Sequence, residues 1–196
     1  MPLSFLKFVL TNKRRMALLS SLIKRKLSDD QISNIFINGL FDVVENGFKE
    51  IANLINEDVA FIKSPEIKEH LNGEFALIVI AANLSTLEST FEADQAVRVE
   101  QKIFEKLGKL YEISTGDFES LAREYQSFIA KVNKPSKNLV YGMSKAIFDK
   151  YALNEFQDEY FRRMQAPNPL FLKRLDEVMI NFIWNWDAFF KKYKLN

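Results

Sequence analysis

Phe75-Ala76-Leu77-Ile78-Val79-Ile80-Ala81-Ala82 is an unbroken run of eight apolar residues near the middle of the chain. A run this short fits a buried strand or a buried helix, so its surroundings must decide. The periodicity on both sides is helical, with no strand alternation. The run is therefore read as part of a helix from Glu74 to about Glu88. That helix is apolar nearly all round, which places it at the centre of the fold. It falls far short of the ~20 apolar residues that a membrane-spanning helix needs, and it is the longest apolar run in the chain.

Working outward, helix signals recur. Ser28 with Gln31 forms a capping box that opens a long helix from about Asp29 to Ile55. Ser64-Pro65 reads as a cap and first-turn proline for a short helix that Asn72-Gly73 stops. Ser89 with Glu92 reads as a second capping box, starting a helix that runs to about Tyr111. Beyond the turn at Ser114-Thr115-Gly116, Phe118, Leu121, Ala122, Tyr125, Phe128, Ile129 and Val132 follow at helical spacing until Pro135. Ser136 is read as the cap of a helix carrying Leu139, Met143 and Ile147. Asn154 is read as the cap of one with acids first and Arg162 and Arg163 last, the polarity that suits the helix dipole. Asn168-Pro169 opens the last helix, whose stripe Phe171, Leu175, Val178, Phe182, Trp186, Phe189 and Tyr193 runs almost to the end.

The expected architecture is all-α, a single multi-helix bundle of about seven to nine helices around the nearly all-apolar helix 74–88. The chain has 196 residues and is 47% hydrophobic, with eighteen Phe, which suffices for one sizeable core. It divides into a basic N-terminal helix or arm, 1–28, packed on an all-α body, 29–196. Residues 1–28 hold seven basic and no acidic side chains, leaving 20 basic against 26 acidic residues in the body.

That arm includes Lys13, Arg14, Arg15, Lys24, Arg25 and Lys26, the candidates for anion binding. On a helix from about Lys13, the residues Met16, Leu19, Ile23 and Leu27 share one stripe, with Leu18 and Leu22 beside it. Such an amphipath suits an anionic membrane surface. It equally suits a first helix docked on an acidic body, and this is the favoured reading. A transit peptide and nucleic-acid binding rank well below. No helix-turn-helix pattern and no aromatic–glycine stacking motif accompanies the charge.

Chemistry is scarce. Without cysteine the chain can form no disulfide, thiolate metal site or Cys nucleophile, and a cytoplasmic, reducing compartment fits that composition. His70 is the only histidine, so a His-based triad or a multi-histidine metal site is excluded. Glu88, Glu92 and Asp94, and likewise Glu155, Asp158 and Glu159, sit at helix starts, where the dipole favours acids without catalysis. No phosphate-cradling glycine loop or nucleophile elbow occurs. No catalytic, cofactor-binding or metal-ligating residue is therefore assigned, and no cofactor is expected.

Asn83 ends the apolar run, so its amide should be buried and must find partners, either a neighbouring helix or a ligand. Gly39 and Gly47, eight apart, suggest a close helix approach. At helical pitch Trp184 and Trp186 lie about 200° apart and cannot share one stripe. Together with Phe189 and Phe190 they form a candidate interface. The leading expectation is a non-enzymatic protein-interaction module, with a protein partner or a symmetric homodimer. The alternative is a bundle that holds a small apolar ligand oriented by Asn83. Surface binding to anionic membranes through the basic helix ranks third among the binding readings. A carboxylate enzyme would require two acids from different helices in one cleft.

Overall fold

Ser28 accepts from the Gln31 amide while Gln31 Oε1 accepts from the Ser28 N–H, so the capping box at the head of the longest helix forms in full. The structure, a computed structural model, describes residues 25–195. Strand β1 (Arg25–Leu27) precedes helix α1 (Asp29–Glu57). Next come α2 (Gly73–Leu84), α3 (Leu87–Thr90), α4 (Ala93–Leu110), α5 (Thr115–Val132) and α6 (Leu139–Lys150). A 3₁₀ turn (Leu153–Phe156) leads to α7 (Glu159–Met164) and α8 (Pro169–Met179). A second 3₁₀ turn (Ile180–Phe182), α9 (Trp186–Lys192) and strand β2 (Tyr193–Leu195) complete the described residues. Among the described residues the fold is all-α, apart from the short parallel pairing of β1 with β2 and an isolated antiparallel bridge between Phe61 and Gln157.

Helix α2 is the hub. Phe75, Ile78, Val79, Ala82 and Asn83 are fully buried, while Leu77 is only half-buried. It packs against α1, α5 and α6, and a single cluster of buried side chains extends from Leu27 to Phe189. Ion pairs tie the head of α1 to α4: Arg98 to Asp29 at 2.7 Å and Lys106 to Asp30 at 2.5 Å. At its tail, Arg174 of α8 forks the buried Asp58 carboxylate at 2.6 and 2.7 Å.

Several local expectations are corrected. The segment after Ser64-Pro65 is not helical. Ser64 Oγ accepts only the Glu66 N–H, and Glu66 turns left-handed at φ 57°. The Asn56 amide then takes both the N–H and the C=O of Ile67, holding this stretch as irregular chain. The central helix stops at Leu84, and α3 follows after a break. Glu92, not Ser89, is the N-cap of α4, because the Ser89 hydroxyl turns back to Thr86 O. Asn138 rather than Ser136 caps α6, and Asp158 rather than Asn154 caps α7. Arg25 and Lys26, expected on the basic helix, lie in β1, which pairs with the C-terminal strand and buries Leu27. The rest of that helix, Lys13, Arg14, Arg15 and Lys24 included, lies outside the described residues.

Candidate functional site

The last helix is not continuous. It breaks between Phe182 and Trp186, and the cause is Asn83. Inside a helix the Phe182 carbonyl would accept from Trp186, and the Trp184 N–H would donate to Ile180. Instead, Asn83 Nδ2 donates to Phe182 O at 2.8 Å and to Val79 O at 2.8 Å. Its Oδ1 accepts the Trp184 N–H at 2.7 Å. The buried amide thus takes the place of a backbone peptide group and locks residues 182–184 in a turn. Both of its N–H groups are engaged, so its donors serve the fold and are not turned to a ligand.

The break changes where the tryptophans point. Trp184 lies outside the helix, so the helical pitch that separated it from Trp186 does not apply. The two rings lie 6.0 Å apart, and both flank Phe36 of α1, at 5.7 and 5.3 Å. Trp186 is buried, and its Nε1 donates to Thr86 Oγ1 at 3.0 Å. Phe189 is buried, whereas Phe190 is half-buried between Phe91 and Trp186. Of the four candidate interface residues, Trp184 and Phe189 line the groove described next, while Trp186 packs on both of their rings and Phe190 on that of Phe189.

This groove has a volume of about 400 Å³ and runs between α1 and residues 181–193. One wall is Ile35, Leu40 and Val43, and the other includes Ile183, Trp184, Phe189 and Tyr193. Exposed Asn181, Asn185, Ala188 and Lys192 form its rim, so it is an open groove and not a closed cavity. Two glycines let the walls meet. A methyl group at Gly47 would come within 2.6 Å of the Phe182 ring, and one at Gly39 would overlap the Trp184 ring. The glycine pair therefore admits aromatic rings rather than a second helix backbone. The Trp184 indole N–H is buried and has no acceptor among the described residues. The sequence gives no sign of Ile35 and Val43 as a wall, because their spacing matches any helix stripe.

Other polar clusters do not assemble chemistry. Glu88, Glu92, Asp94 and His70 are exposed. Glu88 and Glu100, from different helices, share a cleft of about 370 Å³, but Arg123 forks Glu100 at 2.6 and 2.9 Å. Asp158 caps Tyr160 and Phe161, and Glu159 pairs with Arg163. Burial pushes the Asp176 carboxyl above its ordinary range against a Ser144 hydrogen bond. Asp149 is an exposed residue, and partial desolvation also raises its carboxyl, against Lys145 and Lys131. Among the described residues, no group of three or more His, Cys, Asp or Glu could hold a metal ion, and no helix is long and apolar enough to cross a membrane. Comparison with protein-family models, with curated proteins and with solved structures finds no match to the chain.

Proposed function

We propose that the protein is a non-enzymatic helical interaction module that receives the apolar face of an amphipathic helix in the groove between α1 and residues 181–193. The observation that carries this reading is the groove itself: aromatic and aliphatic walls, with the Trp184 and Phe182 rings seated on the glycines of α1, and an exposed, mainly polar rim. Apolar anchors at helical spacing fit such a surface, and aromatic side chains are the residues that most often dominate binding energy. The helix would come from a protein partner or from a second copy of the chain, in a cytoplasmic setting suited to a cysteine-free protein. A small apolar ligand is the second reading, since about 400 Å³ is a ligand-sized volume. It ranks lower because Asn83 is committed to backbone. Binding to an anionic surface through Arg25, Lys26 and the basic residues before them ranks third.

The test is selection of amphipathic helical peptides from a displayed library against the full chain, followed by NMR mapping. Peptides with apolar anchors should shift resonances of Ile35, Val43 and Ala188, and Ala188→Arg on the exposed rim should abolish binding. Selected peptides that map to another face would refute the assignment.

A further inference from the structure

We infer that the groove selects its partner by charge order: the helix it receives lies antiparallel to α1 and sets an acidic C-terminal turn on a cationic cluster formed by residues 25–26 and 191–194. The inference rests on the groove being a helix-receiving surface, and it adds the charge pattern and the direction of the partner.

The two ends of the groove are distinguishable. The Phe182 ring sits at Gly47 and the Trp184 ring at Gly39, while Trp186 stacks on Phe36. β2 then pairs with β1, the strand that leads into α1. Residues 182–195 therefore run back along α1, from Gly47 towards its head. Ile35, Lys192 and Tyr193 mark the head end of the groove, and Val43 and Asn181 mark the far end.

The head end is cationic. The strand register sets Arg25 beside Tyr193 and Lys26 beside Lys194. Lys191 and Lys192 close α9, and Lys192 lines the groove itself. All five cations are exposed, and none forms an ion pair among the described residues. Lys26 and Lys194 are neighbours on paired strands, where like charges repel, so a bound anion relieves a cost already present in the fold. Acids close by do not offset it. Asp29 and Asp30 are engaged by Arg98 and Lys106, and Asp187 is the one acid in residues 181–195.

The far end is acidic. Asp42 repeats the Ile35 stripe seven residues on, and Glu50 repeats the Val43 stripe in the same way. Both are exposed and neither forms an ion pair among the described residues, whereas nearby Lys49 is taken by Glu69 at 3.0 Å. A helix carries partial negative charge at its C-terminus and partial positive charge at its N-terminus. Laid antiparallel to α1, it meets the lysines with its C-terminal end and Asp42 and Glu50 with its N-terminal end. Acids in its last turn, unfavourable in an isolated helix, find partners here. Each exposed pair is worth little, but several together decide between the two directions in which one apolar stripe can lie.

The probe is a synthetic helix of about 14 residues, long enough to reach both clusters, with Leu and Phe anchors at helical spacing. A hydrocarbon staple keeps its helicity independent of its charges. One form carries Glu in the last turn, a second Gln and a third Lys. At low salt the Glu form should bind the full chain roughly tenfold tighter than the Gln form, and the difference should fade at about 0.5 M salt. In a Lys191→Glu, Lys192→Glu variant the preference should invert towards the Lys form, a rescue that loss of folding would not produce. Direction is read with a nitroxide on a peptide cysteine, since the protein has no cysteine of its own. A label at the peptide's C-terminus should broaden the resonances of Ala188 and Lys192, and one at its N-terminus those of Val43.

Equal affinity for the Glu and Gln forms, or docking in the opposite direction, would overturn the inference while leaving the groove's helix-binding role intact. Binding of none of the three forms would remove that role, and the inference with it. Phosphatidylserine vesicles that bind the chain and are not displaced by the Glu form would also overturn it, and would assign the cations to a membrane surface.

Discussion

Asn83 shows how much one buried amide can decide. It is fully buried at the end of an apolar helix, and its three hydrogen bonds of 2.7–2.8 Å include both a carbonyl and an N–H from residues about a hundred positions away. Replacing it with Leu keeps the branched outline of the side chain but strands the Phe182 carbonyl and the Trp184 N–H. Each buried group left unpaired costs about 1–3 kcal/mol, so Asn83→Leu should destabilise the fold by about 2–6 kcal/mol in denaturant unfolding. The tryptophan emission should change as well, because the turn that positions Trp184 loses its anchor. A variant with wild-type midpoint and spectrum would mean that the turn holds itself. The sequence showed that this amide would be buried and would need partners. It could not show which backbone it would meet, because the partners lie far along the chain and carry no motif of their own.

At the scale of elements, the same device recurs. Asn56 pairs with Ile67, and Gln157 donates to Ala166 O at 2.9 Å and accepts from Asn168 N at 2.7 Å, as Asn83 pairs with Phe182 and Trp184. In each case a side-chain amide satisfies irregular backbone that a helix would otherwise satisfy internally. This explains where legibility ended. The helices with local signals, α1 with its capping box and α8 with Asn168-Pro169, were readable from the sequence. The Ser64-Pro65 segment and the 183–185 break were not, because distant amides hold them. The glycines of α1 were legible as a close approach but not as a seat for aromatic rings. They give a test. Helix propensity alone makes Gly→Ala favourable by about 1 kcal/mol in a helix interior. At Gly39 and Gly47 the added methyl overlaps the Trp184 and Phe182 rings, and overpacking costs about 1–3 kcal/mol. Both alanine variants should therefore lower the melting temperature, Gly39→Ala with a shift in tryptophan emission. Gly73→Ala, where the methyl meets nothing within 4 Å, should leave the fold as stable as wild type or slightly more so. Equal behaviour at all three sites would show that the rings move aside freely.

For the whole molecule, two sets of carboxylates set opposite slopes on stability against pH. Asp29 resists partial burial and is held below its ordinary 3.8 by Arg98 and Gln95, and Asp30 is held below it by Lys106. Glu105 is held below its ordinary 4.5 by Lys102. Their contribution is present above those ordinary values and is lost as pH falls through the depressed folded values. Asp149 and Asp176 behave the other way. Both are raised above 3.8, Asp176 by burial of its carboxylate and Asp149, an exposed residue, by partial desolvation among its neighbours. The native state therefore binds their protons more tightly than the unfolded chain does, with Asp176 the larger contributor. What they contribute is complete below 3.8 and is lost as pH rises through the raised folded values. As a neutral solution is acidified, the second set therefore adds stability before the first set removes it, and the curve should pass through a maximum on the mildly acidic side. Replacing Asp149 and Asp176 together by Asn leaves neutral groups of nearly the same shape. The double variant should melt higher than wild type at neutral pH. That advantage should shrink as pH falls and vanish near 3.8, where the wild-type side chains are themselves protonated. The mildly acidic maximum should flatten into a monotonic decline governed by Asp29, Asp30 and Glu105. Thermal melts across the acid range decide the matter. A double variant that is less stable than wild type by the same margin at every pH would show that these aspartates act through contacts that asparagine cannot replace, and that desolvated charge is not what they contribute.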